Sequence, residues 1–254
     1  EPTPLASATE IAISNDVGGS NIFLHTAYYA HKEETFNEVT ESISWAGQVG
    51  ALFVDQYGIL REDTNRNLSL DTDDLAVSFV DAGDNVDPQV IRGNGVPQSL
   101  DNLRYVWDTT TSLTNALPSQ RNLLTYIPTN PDADTQGALT LANGRLHDFT
   151  ADVMTVGNNT PLLGGVANPA ELVRFIRGEE GLEDVRSRSL GDATYLLGEM
   201  VGTSPIVAST VKNSYDTELN DAVFARYRQR LEGMDRAVYV ASNNGMIQAF
   251  NGRT

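Results

Sequence analysis

Apolar and polar positions change their period several times along this chain, and each change marks an element. "NIFLHTAYYA" (21–30) is short and rich in apolar and aromatic side chains, which predicts a β-strand. "SWAGQVGALFVDQYGILRED" (44–63) predicts a β-hairpin, its apolar run 49–54 leading into a "DQYG" turn where Gly58 suits positive φ. Residues 63–98 are dominated by Asp, Asn and Gly and read as loop. At 99–117 the spacing turns helical: Leu100, Leu103, Val106, Trp107, Leu113 and Leu117 approximate one face behind Ser99 as N-cap. "RNLLTYIP" (121–128) returns to strand character. "NPAELVRFIRG" (168–178) predicts a helix with Asn168 as cap, Pro169 in the first turn and Gly178 as stop. "GTSPIVAS" (202–209) reads as a strand and 215–233 as a second amphipathic helix. No repeat of fixed period is present, which argues against a regular solenoid.

The last stretch, "AVYVASNNGMIQAFNG" (237–252), is a strong hairpin signal. Val238 and Val240 alternate with Tyr239 and Ala241, and Asn244-Gly245 suits a type I′ turn. Met246, Ile247, Ala249 and Phe250 form the return strand. A lone hairpin is marginal in water, so other strands must complete its sheet. Strand–turn–strand units of this kind are typical of β-propeller blades.

These residues also carry a resemblance. "SLGDATYLLGEMVGTSPIVAS" (189–209), a helix, and "RAVYVASNNGMIQAF" (236–250) resemble the PilY family of type IV pilus proteins. That family shows a Leu-Gly-Asp, then a Ser-Pro-hydrophobic strand, then a Tyr-Val-Gly-Ala-Asn-Asp-Gly-Met-Leu-His-Ala-Phe hairpin. "FIRGEEGLEDVRSRSLGD" (175–192) is similar to its Arg-rich approach to that motif, and "SWAGQVGAL" (44–52) to its Trp-x-Gly strand. "YVWDTTTSLTN" followed by "RNLLTYIPT" resembles its Trp-Asp helix and Arg-x-hydrophobic-Thr strand. The likeness runs in order from about residue 21 to 254, and the final hairpin is its most specific part. Two positions depart: Asn-Asp-Gly is Asn243-Asn244-Gly245 here, and the family's His is Gln248.

The resemblance implies a mainly β chain with helical insertions, a partial or modified β-propeller whose blades are interrupted by long loops and helices. Residues 1–165 would hold the first blades with an acidic insertion at 63–98, and 166–254 helices and further blade strands, the polypeptide continuing past 254. The resemblance further implies a non-catalytic protein exported through the periplasm to the cell surface. Its place would be the pilus tip, supporting assembly, retraction control and adhesion, with pilins or minor pilins and a host or abiotic surface as partners. The family's own calcium loop falls beyond residue 254 and is not carried over.

Charge narrows the partners. The chain's 254 residues include 34 acidic and 17 basic ones, a net charge of −17 that repels nucleic-acid phosphates and anionic membranes and favours divalent cations. There is no cysteine, so neither a disulfide nor a thiolate metal site is possible. No apolar run approaches 18 residues, so no transmembrane helix is predicted.

"DTNRNLSLDTDD" (63–74) supplies a candidate calcium site. Asp63, Asn65, Asn67, Ser69, Asp71 and Asp74 fall on positions 1, 3, 5, 7, 9 and 12 of an EF-hand-type loop, alternate oxygen donors for a hard cation. Leu70 sits at the eighth, apolar position. Position 6 is Leu68 where glycine is expected, position 12 is Asp rather than Glu, and the competing reading is a solvated Asx-rich turn. Asp81, Asp84 and Asp87 form a looser acidic cluster, and "NPDADTQG" (130–137) reads as a turn.

No catalytic motif stands out. His25, His31 and His147 lack metal spacing, and no nucleophile elbow, Walker loop or His-Glu-x-x-His occurs. Trp45 and Trp107 read most simply as core anchors. Two alternatives stay open: a quinoprotein-type propeller enzyme, whose repeated Ala-x-Asp-x-x-Thr-Gly-x-x-x-Trp motif is absent from the visible chain, and a carbohydrate-binding β-domain, which the tryptophans permit.

Overall fold

The computed structural model describes residues 4–6, 21–80, 89–93, 95–128, 144–183, 185–208, 215–232 and 237–252. The acidic cluster Asp81, Asp84 and Asp87 and the turn expected at 130–137 lie outside these residues. The chain divides into a larger unit, Glu1–Leu113 with Arg188–Thr254, and a smaller one, Thr114–Ser187.

The larger unit is built on one long hairpin. Strand β1 (Pro4–Ala6) pairs with β2 (Asn21–Phe36), and β2 pairs with β3 (Val39–Val54) in one register from Asn21 opposite Val54 to Phe36 opposite Val39, interrupted at Ala30 and Trp45. Asn37 and Glu38 close it, both with positive φ (47° and 70°), the geometry of a type I′ turn. Both faces of this ladder are covered. Ile22, Leu24, Val49, Ala51 and Phe53 enter one core; Phe23, Ala27, Ile43 and Leu52 enter a second. That is why 49–54 reads as an unbroken apolar run rather than alternating. As expected, a turn at 55–58 with Gly58 at φ 80° leads into β4 (Leu60–Arg61), which returns along β3.

Within 63–98, expected to be loop, a three-stranded antiparallel meander forms: β5 (Val77–Val80), β6 (Gln89–Arg92) and β7 (Val96–Ser99). Val77 and Val90 bury into the second core, and so few apolar residues were outvoted by the polar composition around them. The helix expected over 99–117 is replaced by a 3₁₀ turn (Leu100–Asn102), a short strand β8 (Trp107–Asp108) and a short helix α1 (Thr109–Thr114). Ser99 does cap the 3₁₀ turn by accepting the Asp101 N–H. The continuous helix fails because Val106 N–H bonds Ala51 O (2.9 Å) and Trp107 pairs with Ala51, so the segment is drawn onto β3. Three consecutive threonines also make a weak helix.

The smaller unit contains the hairpin β9 (Leu124–Pro128) and β10 (Gly144–Asp148), followed by α2 (Ala151–Met154) and α3 (Pro169–Arg177). Helix α3 keeps its expected punctuation. Asn168 Oδ1 accepts the Glu171 N–H, and Gly178 adopts φ 107° after the last turn. The Arg177 guanidinium then donates to the carbonyls of Pro118, Arg121 and Phe149, at 2.8–2.9 Å, tying the helix end to the hairpin's approaches.

The chain's last third completes the larger unit with β11 (Ser189–Leu190), β12 (Ala193–Thr194), β13 (Ile206–Ala208), α4 (Tyr215–Glu218), α5 (Ala222–Glu232), β14 (Ala237–Ala241) and β15 (Ile247–Asn251). The single helix expected over 215–233 is broken where Asn220 takes φ 53° and the Asp221 carboxylate caps the next turn, accepting from Val223 and Phe224. The terminal hairpin forms, and β13 from the "SPIVAS" stretch gives β14 its second neighbour. Its turn is not type I′. Only Gly245 has positive φ (81°); Gly245 N–H bonds Ser242 O and Ser242 N–H bonds Met246 O, a three-residue loop ending on a left-handed glycine. The described fold is thus mainly β, built of several small antiparallel sheets.

Candidate functional site

Residues 63–74 fold as a closed loop in the larger unit. The buried Asp63 carboxylate accepts the N–H groups of Asn67 and Leu68, each at 3.0 Å. Leu68 adopts φ 60°, so it takes the left-handed conformation for which glycine was expected. The buried Asp74 carboxylate accepts from Thr64 and Asp71, each at 2.9 Å, and closes the far end. Asn65 Nδ2 and Asn67 Nδ2 both donate to Asp71 Oδ2 at 2.9 and 2.8 Å. Those bonds, the Asn65 amide first, hold the Asp71 carboxyl below its ordinary pKa. Ser69 joins through its backbone N–H, which bonds Asn67 Oδ1. Of the six expected ligands, the Asn65, Asn67 and Asp71 side chains bond one another, whereas the Asp63 and Asp74 carboxylates bond backbone N–H groups of the loop. Among the described residues no three His, Cys, Asp or Glu side chains form a group that could hold a metal.

A second convergence involves residues far apart in sequence. Trp45, Ala46 and Gly47 of β3 run alongside 197–199 in a short antiparallel pairing: Gly47 N–H bonds Leu197 O (2.8 Å), and Glu199 N–H bonds Trp45 O (3.1 Å). The terminal turn docks on the same segment, with Asn243 N–H on Glu199 O (2.9 Å) and Asn243 Nδ2 on Glu199 Oε1 (3.3 Å). Two glycines permit this approach. A Cβ on Gly47 would lie 2.3 Å from the Gly198 carbonyl oxygen, and one on Gly198 would lie 2.7 Å from Asn244 Cγ. Asn244 Oδ1 meanwhile accepts from the Ser242 hydroxyl (2.6 Å) and Met246 N–H (3.2 Å). Three stretches on which the sequence resemblance rests, 44–52, 189–209 and 236–250, thus interlock at Gly47, Gly198 and Asn244. Gly47→Ala is expected to lower stability by about 2 kcal/mol, because the obstructing atom is backbone, and a urea titration measures it.

Trp45 corrects an expectation. It is 58% exposed with φ 57°, whereas Trp107 is the core anchor, at 5% exposure. Gln248, at the family's His position, is buried on β15, and its Nε2 has no hydrogen-bond partner among the described residues. The histidines stay apart. His25 is buried beside Tyr105; His31 bonds Ser44 and Glu33 (3.2 and 2.8 Å); exposed His147 sits on β10 opposite Thr125.

Comparison with known proteins gives one distant relative. Over 161 residues the chain is 27% identical to the type IV pilus biogenesis factor PilY1 of Pseudomonas aeruginosa (strain UCBPP-PA14). The match covers 58% of this chain and 12% of the relative's length. It weakly supports a PilY-related chain. No family model matches the chain, and no solved structure matches it. No helix among the described residues is long and apolar enough to cross a membrane.

Glu199 and Asn243 lie within the quoted motifs, and nothing in their residue types marks either for this contact. The glycine on either side of their contact, Gly198 and Gly245, was the available signal for close backbone approach.

Proposed function

We propose that this chain belongs to a type IV pilus-associated surface protein, a non-catalytic assembly factor and tip adhesin exported to the cell exterior. The observation that carries the reading is the meeting of three PilY-like stretches at Gly47, Gly198 and Asn244, which gives the resemblance one structural purpose. The 27% identity to a type IV pilus biogenesis factor points the same way. The partners would be pilins or minor pilins and a host or abiotic surface. In this reading β13–β15 is one blade of a partial propeller. Its outward residues Ile206, Tyr239 and Ile247 are exposed and apolar, suited to a neighbouring sheet.

Filaments sheared from the cells that make the protein should carry it down on sedimentation, and protease applied to intact cells should reach it. Recovery solely from the cytoplasm would end the proposal.

Calcium belongs to the same proposal. Asp63, Asn65, Asn67, Ser69, Asp71 and Asp74 offer hard oxygen donors, the chemistry of calcium rather than of zinc or copper. Calcium bound to the folded state alone would add about 2.7 kcal/mol at a hundredfold excess over its dissociation constant. Thermal unfolding with calcium and with EDTA should differ accordingly, and Asp63→Ala should abolish the difference. The same calcium response in that variant would place the ion elsewhere.

A further inference from the structure

Left-handed backbone at a residue with a large side chain is strained, and such strain persists where its surroundings impose it. At Trp45 the surroundings are unusually firm. The β2–β3 ladder skips the Ala30–Trp45 pair but keeps the same register on both sides of it, the Trp45 carbonyl is bonded by Glu199 N–H, and Gly47 is pressed on Gly198, which is in turn pressed on Asn244. What the strain secures is an indole held 58% exposed on rigid strands. Since Ala46 stands opposite Gly198, Trp45 stands opposite Glu199 in the same short pairing. Glu199 Oε1 receives the Asn243 amide N–H, which leaves Glu199 Oε2 and Asn243 Oδ1 without partners among the described residues.

We infer that Trp45, Glu199 and Asn243 form a subsite for a neutral saccharide. A pyranose offers an apolar C–H face to an indole, and its hydroxyls donate to a carboxylate and exchange hydrogen bonds with an amide. The three residues supply that combination on a framework that needs no ordering, which keeps the entropy cost of binding low. An acidic sugar is disfavoured because Glu199 and the net charge of −17 both repel it. The inference deepens the adhesive reading by naming the ligand class at the surface, and it takes only its biological setting from that reading.

The test uses the whole chain against an array of neutral and sialylated glycans, then titration with galactose, glucose, N-acetylglucosamine and lactose. Trp107 is buried, so the accessible tryptophan emission belongs to Trp45. A binding sugar should shift that emission to the blue and protect it from acrylamide. Trp45→Ala should lose about tenfold or more in affinity, the loss expected of a central contact. Glu199→Gln and Asn243→Ala should weaken binding while the unfolding temperature holds, and Trp45→Phe should retain part of it. If Trp45→Ala fails to fold, acrylamide protection in the unaltered protein and the Glu199→Gln titration decide. Retention of no neutral glycan, retention of sialylated glycans alone, or unaltered binding by Glu199→Gln and Asn243→Ala would overturn the inference. Filament sedimentation separates the two claims: glycan binding without filament association removes only the pilus setting, and the reverse removes only the subsite.

Discussion

Glu62→Ala is expected to destabilise the larger unit by about 3–5 kcal/mol, the usual cost of removing one partner from a buried ion pair. The Glu62 side chain is fully buried. Its Oε1 accepts from the Arg92 guanidinium (2.6 Å) and the Thr64 hydroxyl (3.0 Å), and its Oε2 from the Arg104 N–H (3.1 Å). One carboxylate thus ties β6, the start of the 63–74 loop and the segment leading to β8. Backbone bonds alongside it, Glu62 N–H to Leu75 O and Asp63 N–H to Arg104 O, depend on the same alignment. Truncation would leave the Arg92 guanidinium, at 15% exposure, only a 3.5 Å bond to Gln98 Oε1, its Nε having no partner among the described residues. The double change Glu62→Met with Arg92→Met should regain most of the loss, because an apolar pair of similar volume carries no desolvation cost. Urea unfolding followed by tryptophan fluorescence measures both. A loss below about 1 kcal/mol in the single variant would mean that water reaches the pair and that it behaves as a surface bridge.

Much of this frame was legible where local chemistry and tertiary demand agree. Gly58, Asn168 and Gly178 did what their residue types favour, and the alternation at Val238 and Val240 gave β14 its buried face. Legibility failed where a distant partner decided the local conformation. Trp107 sits at helical spacing yet pairs with Ala51, because a strand already in place can capture the segment's backbone bonds. The turn of the longest hairpin hid in Asn37-Glu38, since a glutamate at positive φ is paid for by fifteen paired positions rather than by the turn itself. The 63–74 spacing named the loop and its two closing aspartates, but not that their oxygens would be engaged by the loop's own N–H groups. Trp45 was unreadable as an exposed residue. Its environment is set by 197–199, some 150 positions away in sequence, and hydrophobicity alone always argues for burial.

The same long-range capture buries a titratable group, and this gives the second large expected effect: stability should fall by about 3 kcal/mol between pH 6.5 and pH 4 through His25 alone. His25 lies opposite Gly50 on the β2–β3 ladder, and the Tyr105 ring occupies the space a Gly50 side chain would need, 2.3 Å from where its Cβ would be. The imidazole stacks on Phe79 (4.3 Å between centroids, 15° between planes) and runs parallel to Tyr105 at 6.2 Å. Its Nδ1 meets the Tyr105 hydroxyl at 3.1 Å, while Nε2 has no partner among the described residues. Burial holds the Tyr105 phenol above its ordinary pKa, so that hydroxyl stays neutral and cannot balance an imidazolium. Burial likewise lowers the His25 pKa to about 4. The unfolded chain therefore takes up the proton first as pH falls. The stabilisation is fully present above the ordinary histidine value near 6.5 and drains away as pH descends toward 4. His25→Phe keeps the stack and removes the titration, losing about 1 kcal/mol with the Tyr105 bond. Carboxylates titrate alike in both proteins, so the difference between their unfolding free energies at pH 7 and pH 4 isolates the imidazole. Curves that run parallel across that range would mean that folded His25 takes up its proton as readily as the unfolded chain does, and that Phe79 and Tyr105 do not seal it from water.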